Sequence, residues 1–173
     1  MNEQQIEVSS IDLRYQGCRI QNYKDEKHLL QGILDNGIQD PLQGVDNGDN
    51  KILLNGFKRL RCAKKLGINI VPYSSLSDDE ALGILQLLRM TNTQSLSILE
   101  QAKLIAELQS IYGLGNADIA RSLEKSKGWV SMRTGLLNQM SPYVISQIMN
   151  GAFPAYSYMY TLRPFMRMNA LST

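Results

Sequence analysis

Histidine and cysteine are nearly missing from this chain: its 173 residues include one histidine, His28, and two cysteines, Cys18 and Cys62. A lone histidine supplies no paired metal ligands, and the two thiols lack the CxxC or Cys/His spacing of a zinc site. Neither a metal centre nor a disulfide framework is expected, and both thiols are expected to be reduced. No apolar run approaches the roughly 18–20 residues of a membrane-spanning helix. The opening stretch, MNEQQIEVSS, has neither the basic nor the apolar segment of a secretory signal. The expected location is the cytoplasm. With 43% hydrophobic and 20% charged residues, the composition is that of a globular protein of one ordinary domain or two small ones.

Acidic residues are absent after Glu124, whereas Lys125, Lys127, Arg133, Arg163 and Arg167 all follow it. The formal net charge of +2 therefore conceals a mildly acidic front and a basic rear. A basic rear suits contact with a polyanion. Scattered cations on a solvated surface are the plainer alternative.

Periodicity and punctuation predict the order of elements. A short strand is expected over 6–13. A helix over 25–36 follows, with Leu29, Leu30, Ile33 and Leu34 as its apolar stripe and Gly37 as its stop. Strands at 42–45 and 51–54 should flank an Asn47-Gly48 turn. Asn55-Gly56 then leads into a helix over 57–66 that Gly67 ends. INIVPY reads as a third strand, with Pro72 favouring an edge or a strand end. Ser77 with Glu80, and Ser97 with Glu100, have the spacing of capping boxes. They predict helices from there to Met90 and over 98–112, the latter burying Leu99, Ala102, Leu104 and Leu108. Further helices are expected over 116–123, 127–137, 142–150 and 154–168. The predicted class is α+β: a small mixed α/β domain over 1–92, then an all-helical domain over 93–173, joined at the polar stretch 91–97.

The segment NADIARSLEKSKGWVSMRTGLL has the pattern of a helix-turn-helix over 116–137. Ala120 is the small residue at the crossing, and Ile119, Leu123, Val130 and Leu136 lock the two helices. Ser126 is placed to cap the second helix. Glu124 stands where many such turns carry Gly. Lys125, Ser126, Lys127, Trp129, Ser131 and Arg133 are expected on the exposed face, where cations meet phosphate and Ser or Arg reach base edges. Trp129 has two readings, a groove contact or a residue partly buried in the core. An ordinary helical hairpin with a basic face is the alternative for the whole segment.

GIQDPLQGV, then ILLNGFKRLRCAKKLGINIVPY, then SDDEALGILQLLRMTNTQSLSILEQAKLI resemble, in order, the N-terminal motifs of the ParB partition family. KSKGWVSMRTGLL resembles that family's helix-turn-helix, and is nearer to the plasmid repressor KorB. The resemblance covers about residues 25–151. It implies that Gly56, Lys58, Arg59 and Arg61 lie at a CTP triphosphate site and that Asn92 faces the magnesium ion. Read alone, Lys58, Arg59, Arg61, Lys64 and Lys65 are the wet side of an amphipathic helix.

Phe57 stands where the family motif has Glu, Lys58 where it has its first Arg, and Thr91 where it has the Glu tied to hydrolysis. Thr cannot replace a carboxylate as a general base, so CTP binding is expected without effective hydrolysis. The resemblance further implies double-stranded DNA as partner, a homodimer on DNA, and a partition ATPase or another protein as a second partner. The implied role is plasmid or element partition, or transcriptional repression. A CTP-operated switch with secondary DNA contact and a protein adaptor are the alternatives. The same N-terminal fold is shared with sulfiredoxin, whose reactive Gly-Cys-His-Arg motif is only partly echoed by Gly17-Cys18-Arg19. In PAYSYMYTLRPFMRM, helical spacing puts Tyr156, Tyr160 and Arg163 on one face and Met159, Leu162 and Met166 on another.

Overall fold

The N-terminal residues form two strands rather than one. In the computed structural model, which describes residues 2–90 and 96–152, β1 spans Glu3–Glu7 and β2 spans Ile11–Asp12. A single 3-10 turn, Val8–Ser10, separates them. Next come α1 (Tyr23–Asn36), the strands β3 (Leu42–Asn47) and β4 (Asn50–Asn55), α2 (Phe57–Lys65), β5 (Ile70–Ser77) and α3 (Glu80–Arg89). The described remainder is helical: α4 (Ile98–Ser110), α5 (Asn116–Leu123), α6 (Lys127–Gln139) and α7 (Pro142–Met149). The expected helix over 154–168 lies outside the described residues.

The five strands form one mixed sheet in the order β1-β5-β3-β4-β2. β1 and β2 therefore sit on opposite edges. Four flat interstrand spacings cover about 19 Å, but the chain from Glu7 to Ile11 reaches at most about 14 Å. The sheet is curled, and its edges approach one another at that end.

Local chemistry accounts for most of the elements and for their departures from expectation. Asn47 pairs with Asn50, so the two-residue turn is Gly48-Asp49, one place later than expected, with Gly48 at φ 62°. Pro72 lies inside β5, which is flanked by β1 and β3. Pairing with β3 begins only at Tyr73, so the missing proline N–H breaks no bond of that ladder. In α1, Ile33 is buried but Leu34 is 63% exposed, so the apolar stripe is narrower than predicted.

Ser97–Glu100 is a true capping box, with both reciprocal hydrogen bonds formed. Ser77–Glu80 is not. Asp79 caps α3 by accepting from Leu82 N, while Ser77 accepts from Asp79 N. Glu80 is drawn elsewhere: it accepts from the hydroxyls of Tyr15 and Tyr112, from Arg14 and from Asn47.

One face of the sheet is covered by α3, which approaches closely at Gly83. A Cβ there would lie 2.2 Å from Val45 Cγ2. A single cluster of buried apolar side chains runs from Ile6, through Leu42, Ile52, Leu54 and Tyr73 in the sheet, to Leu104, Ile119 and Val130. This core crosses the expected boundary at 92/93. A smaller cluster of Leu99, Leu136, Met140 and Ile148 holds α4, α6 and α7 together.

Candidate nucleic-acid interface and anion pocket

Two places collect the predicted site residues. The first is the α5–α6 pair. Leu123 is followed by Glu124 in the left-handed region at φ 56°, ψ 39°, the one non-glycine with positive φ among the described residues. Lys125 N donates to Ala120 O at 2.9 Å and Glu124 N to Arg121 O at 3.2 Å. This is a Schellman-type stop with Glu in the position that favours Gly. Ser126 then caps α6, its hydroxyl accepting from Trp129 N at 3.0 Å. The lock residues Ile119, Ala120, Leu123, Val130 and Leu136 are all buried.

Lys125, Ser126, Lys127 and Ser131 are exposed at the start of α6, where unsatisfied backbone N–H groups and the helix dipole favour an anion. Trp129 is half-buried, packed partly against the main core, with Lys125 Nζ 5.7 Å from its ring centroid. Arg133 departs from expectation. It is 7% exposed and turned inward, donating to Gln101 Oε1 and to Trp129 O. Burial lowers its pKa to about 10. The 3.6-residue period alone placed it outside, because the covering helix, α4, is remote in sequence.

The second place is the β4–α2 junction. Gly56, at φ 107°, is the N-cap of α2, and a Cβ on it would lie 2.9 Å from Leu42 Cγ. Only glycine fits both this conformation and this approach. Beside it lies a cavity of about 310 Å³, lined in part by Arg19, Asp40, Asn55, Gly56, Lys58 and Arg59. That volume is at the small end for a ligand site. Arg59 donates to the carbonyls of Asp40 and Pro41 at 2.6 and 3.0 Å. Burial lowers its pKa, against the opposing pull of Asp40. Lys58 is the freer cation, 3.9 Å from Asp25 and partly exposed.

Arg61 is not brought to the cavity. It turns toward α1 and pairs there with buried Glu26. Thr91 and Asn92 lie outside the described residues.

Arg19 is the residue the sequence did not single out for this place. It donates through Nε to Glu100 Oε2 at 2.6 Å, and through Nη1 to Asn55 Oδ1 at 2.9 Å and Leu54 O at 3.2 Å. Its neighbour Cys18 is buried, and burial raises the thiol pKa to about 11, with Glu107 adding to the shift. A thiol so protonated is a poor nucleophile. Cys62 is also free and buried. Among the described residues no His/Cys/Asp/Glu group has the arrangement of a metal site, and no helix is long and apolar enough to cross a membrane.

No protein-family model matches the chain. It is 30% identical over 131 residues to the chromosome-partitioning protein Spo0J of Thermus thermophilus, a match covering 75% of this chain and 48% of that protein. The chain thus spans about half the length of this curated relative. Two solved structures of a pNOB8-like ParB N-domain align with 98% of the chain, covering 79% and 74% of theirs. Their TM-scores are 0.57 and 0.55 at 14% and 15% identity, which is a likeness of fold. Together, the sequence match and the shared N-domain fold make this chain ParB-like.

Proposed function

We propose that this chain binds double-stranded DNA sequence-specifically, with α5 and α6 as a helix-turn-helix, in partition or in repression. The observation that carries this reading is the capped N-terminus of α6, where Lys125, Ser126, Lys127 and Ser131 are exposed together beside Trp129. Cations and a helix N-terminus grip phosphates; Ser131 and the free edge of Trp129 are left for the groove. The partition role is that of the named relative, and the proposed partners, a second copy on DNA and a partition ATPase, follow from it. The test is selection of bound fragments from random DNA, followed by gel shifts on the selected duplex across a salt series. Specific binding that weakens steeply with salt supports the reading, and uniform weak binding to every duplex refutes it.

A second reading concerns the cavity beside Gly56. Three cations line it against one acid, at a helix N-terminus that only glycine can form. This donor set fits the phosphates of a nucleotide, and CTP is the one we propose. Lys58, Arg59 and Arg19 would hold the phosphates, with Asn92 toward magnesium. Binding without hydrolysis is the proposed behaviour, since Thr91 offers no carboxylate.

A further inference from the structure

Arg133 is buried, yet among the described residues no carboxylate pairs with it. Its Nε donates to Gln101 Oε1 at 2.7 Å and its Nη1 to the Trp129 carbonyl at 3.1 Å. Gln101, also 7% exposed, is fixed from behind by its own Nε2, which donates to Leu96 O at 3.0 Å. A guanidinium taken out of water without a counter-ion is costly, so its place is explained by what it holds. The Arg133 Cζ lies 3.5 Å from the centroid of the Trp129 ring. That is the distance of a planar cation stacked on an aromatic face, a contact a lysine ammonium does not reproduce.

The arrangement has a direction. From Leu96 O, through Gln101 on α4, to Arg133 and then the indole, each group is held by the one before it. The indole ends this chain at the same end of α6 as Lys125 and Lys127. A side chain frozen before binding need not be ordered during it, which removes an entropic cost.

We infer that Arg133 is a positioning residue and not a DNA contact: braced by Gln101, it fixes the orientation of Trp129 on the face that meets the duplex. Only the last step, contact with a duplex, rests on the proposed DNA-binding function. The stacking and its brace do not.

Trp129 is the sole tryptophan of the chain, so its fluorescence isolates the effect. The full chain is compared with Gln101→Met, Arg133→Lys and Arg133→Met, each checked for folding by circular dichroism. Without DNA, all three variants should shift Trp129 emission to the red and increase its quenching by acrylamide. With the selected duplex, all three should bind about three- to tenfold more weakly, the range for freeing one ordered side chain. The salt dependence should be unchanged, because no phosphate contact is lost.

The inference is overturned if Arg133→Met lowers the salt slope by about one, Arg133→Lys restores it, and Gln101→Met leaves emission and binding unaltered. If the wild-type chain binds no duplex, the function proposed above falls, but the DNA-free fluorescence still decides this point. Unchanged emission in the variants then refutes the positioning role, and a red shift upholds it. Should the Arg133 variants not fold, Gln101→Met, uncharged and close in shape, decides alone.

Discussion

Arg19 Nε lies 2.6 Å from Glu100 Oε2, joining the segment before α1 to the first turn of α4 through side chains that are 18% and 7% exposed. The same carboxylate accepts from Ile20 N and closes the capping box with Ser97. One acidic group thus holds the helical rear against the sheet-bearing front. Glu100→Gln should destabilise the chain by about 2–4 kcal/mol, since it leaves a largely buried cation unpaired. Urea denaturation measures this, and a loss below about 0.5 kcal/mol, the range of ordinary surface changes, would contradict it.

Glu80 sets an acid limit on stability. Burial raises its pKa, but hydrogen bonds from Tyr15, Tyr112 and Asn47 and the charge of Arg14 outweigh that, leaving it below the ordinary 4.5. A carboxylate depressed on folding contributes stability that is complete above its unfolded value and lost as pH falls through its folded value. Stability should therefore hold down to about pH 4.5 and fall below it. Asp12 and Asp46, both also lowered, act in the same sense. Glu80→Gln should cost about 1–3 kcal/mol at neutral pH and flatten the decline below about pH 4.5, measured by urea midpoints as the pH is lowered.

Glu124 is the strained position of the α5–α6 turn. Glu124→Gly should raise stability by about 0.5–1 kcal/mol, because the relief of left-handed strain exceeds the added freedom of the unfolded chain. Glu124→Ala keeps the strain and should give no gain. The thermal midpoints of the two variants separate a backbone effect from the loss of a charge.

Lys125→Ala combined with Lys127→Ala should reduce the slope of log K against log salt by about two. Affinity for matched and unmatched duplexes should fall alike. A slope that does not move would remove both lysines from the phosphate contacts.

Calorimetric titration with CTP, ATP and GTP in the presence of magnesium tests the cavity. CTP should bind, and Lys58→Ala should weaken it by about tenfold, the loss of one charge-assisted contact. No heat from any of the three would discard the nucleotide reading. Phosphate release should stay at background with every nucleotide.

The parts of the fold legible in the sequence are those fixed within a few residues. Ser97 and Glu100 satisfy each other, Ser126 caps its own helix, and Ile119 and Leu123 stand four apart on one helix; each is legible in the string. What escaped depends on distant partners. Glu80 has capping-box spacing, but Tyr15 and Tyr112 compete for its carboxylate from far along the chain. Arg133 falls on the face that periodicity assigns to solvent until α4 covers it with Gln101. Arg19 looked like half of a cysteine motif, and only the fold brings it to Asn55 and Glu100. Residues 6–13 read as one strand because nothing local reveals that two edges of a curled sheet share them.

That division of the N-terminal segment fixes an order of assembly. β2 has no partner until Lys51 and Ile52 are made, and β1 has none until Ile70–Ser74 follow. During synthesis, β1 is made before the other described strands and has to wait for β5 to find its ladder. The hairpin of β3 and β4, closed by a two-residue turn, is the cheapest piece to form and the natural seed. The segment ahead of it then closes one rim of the sheet through β2 and, only after β5 is made, the other through β1.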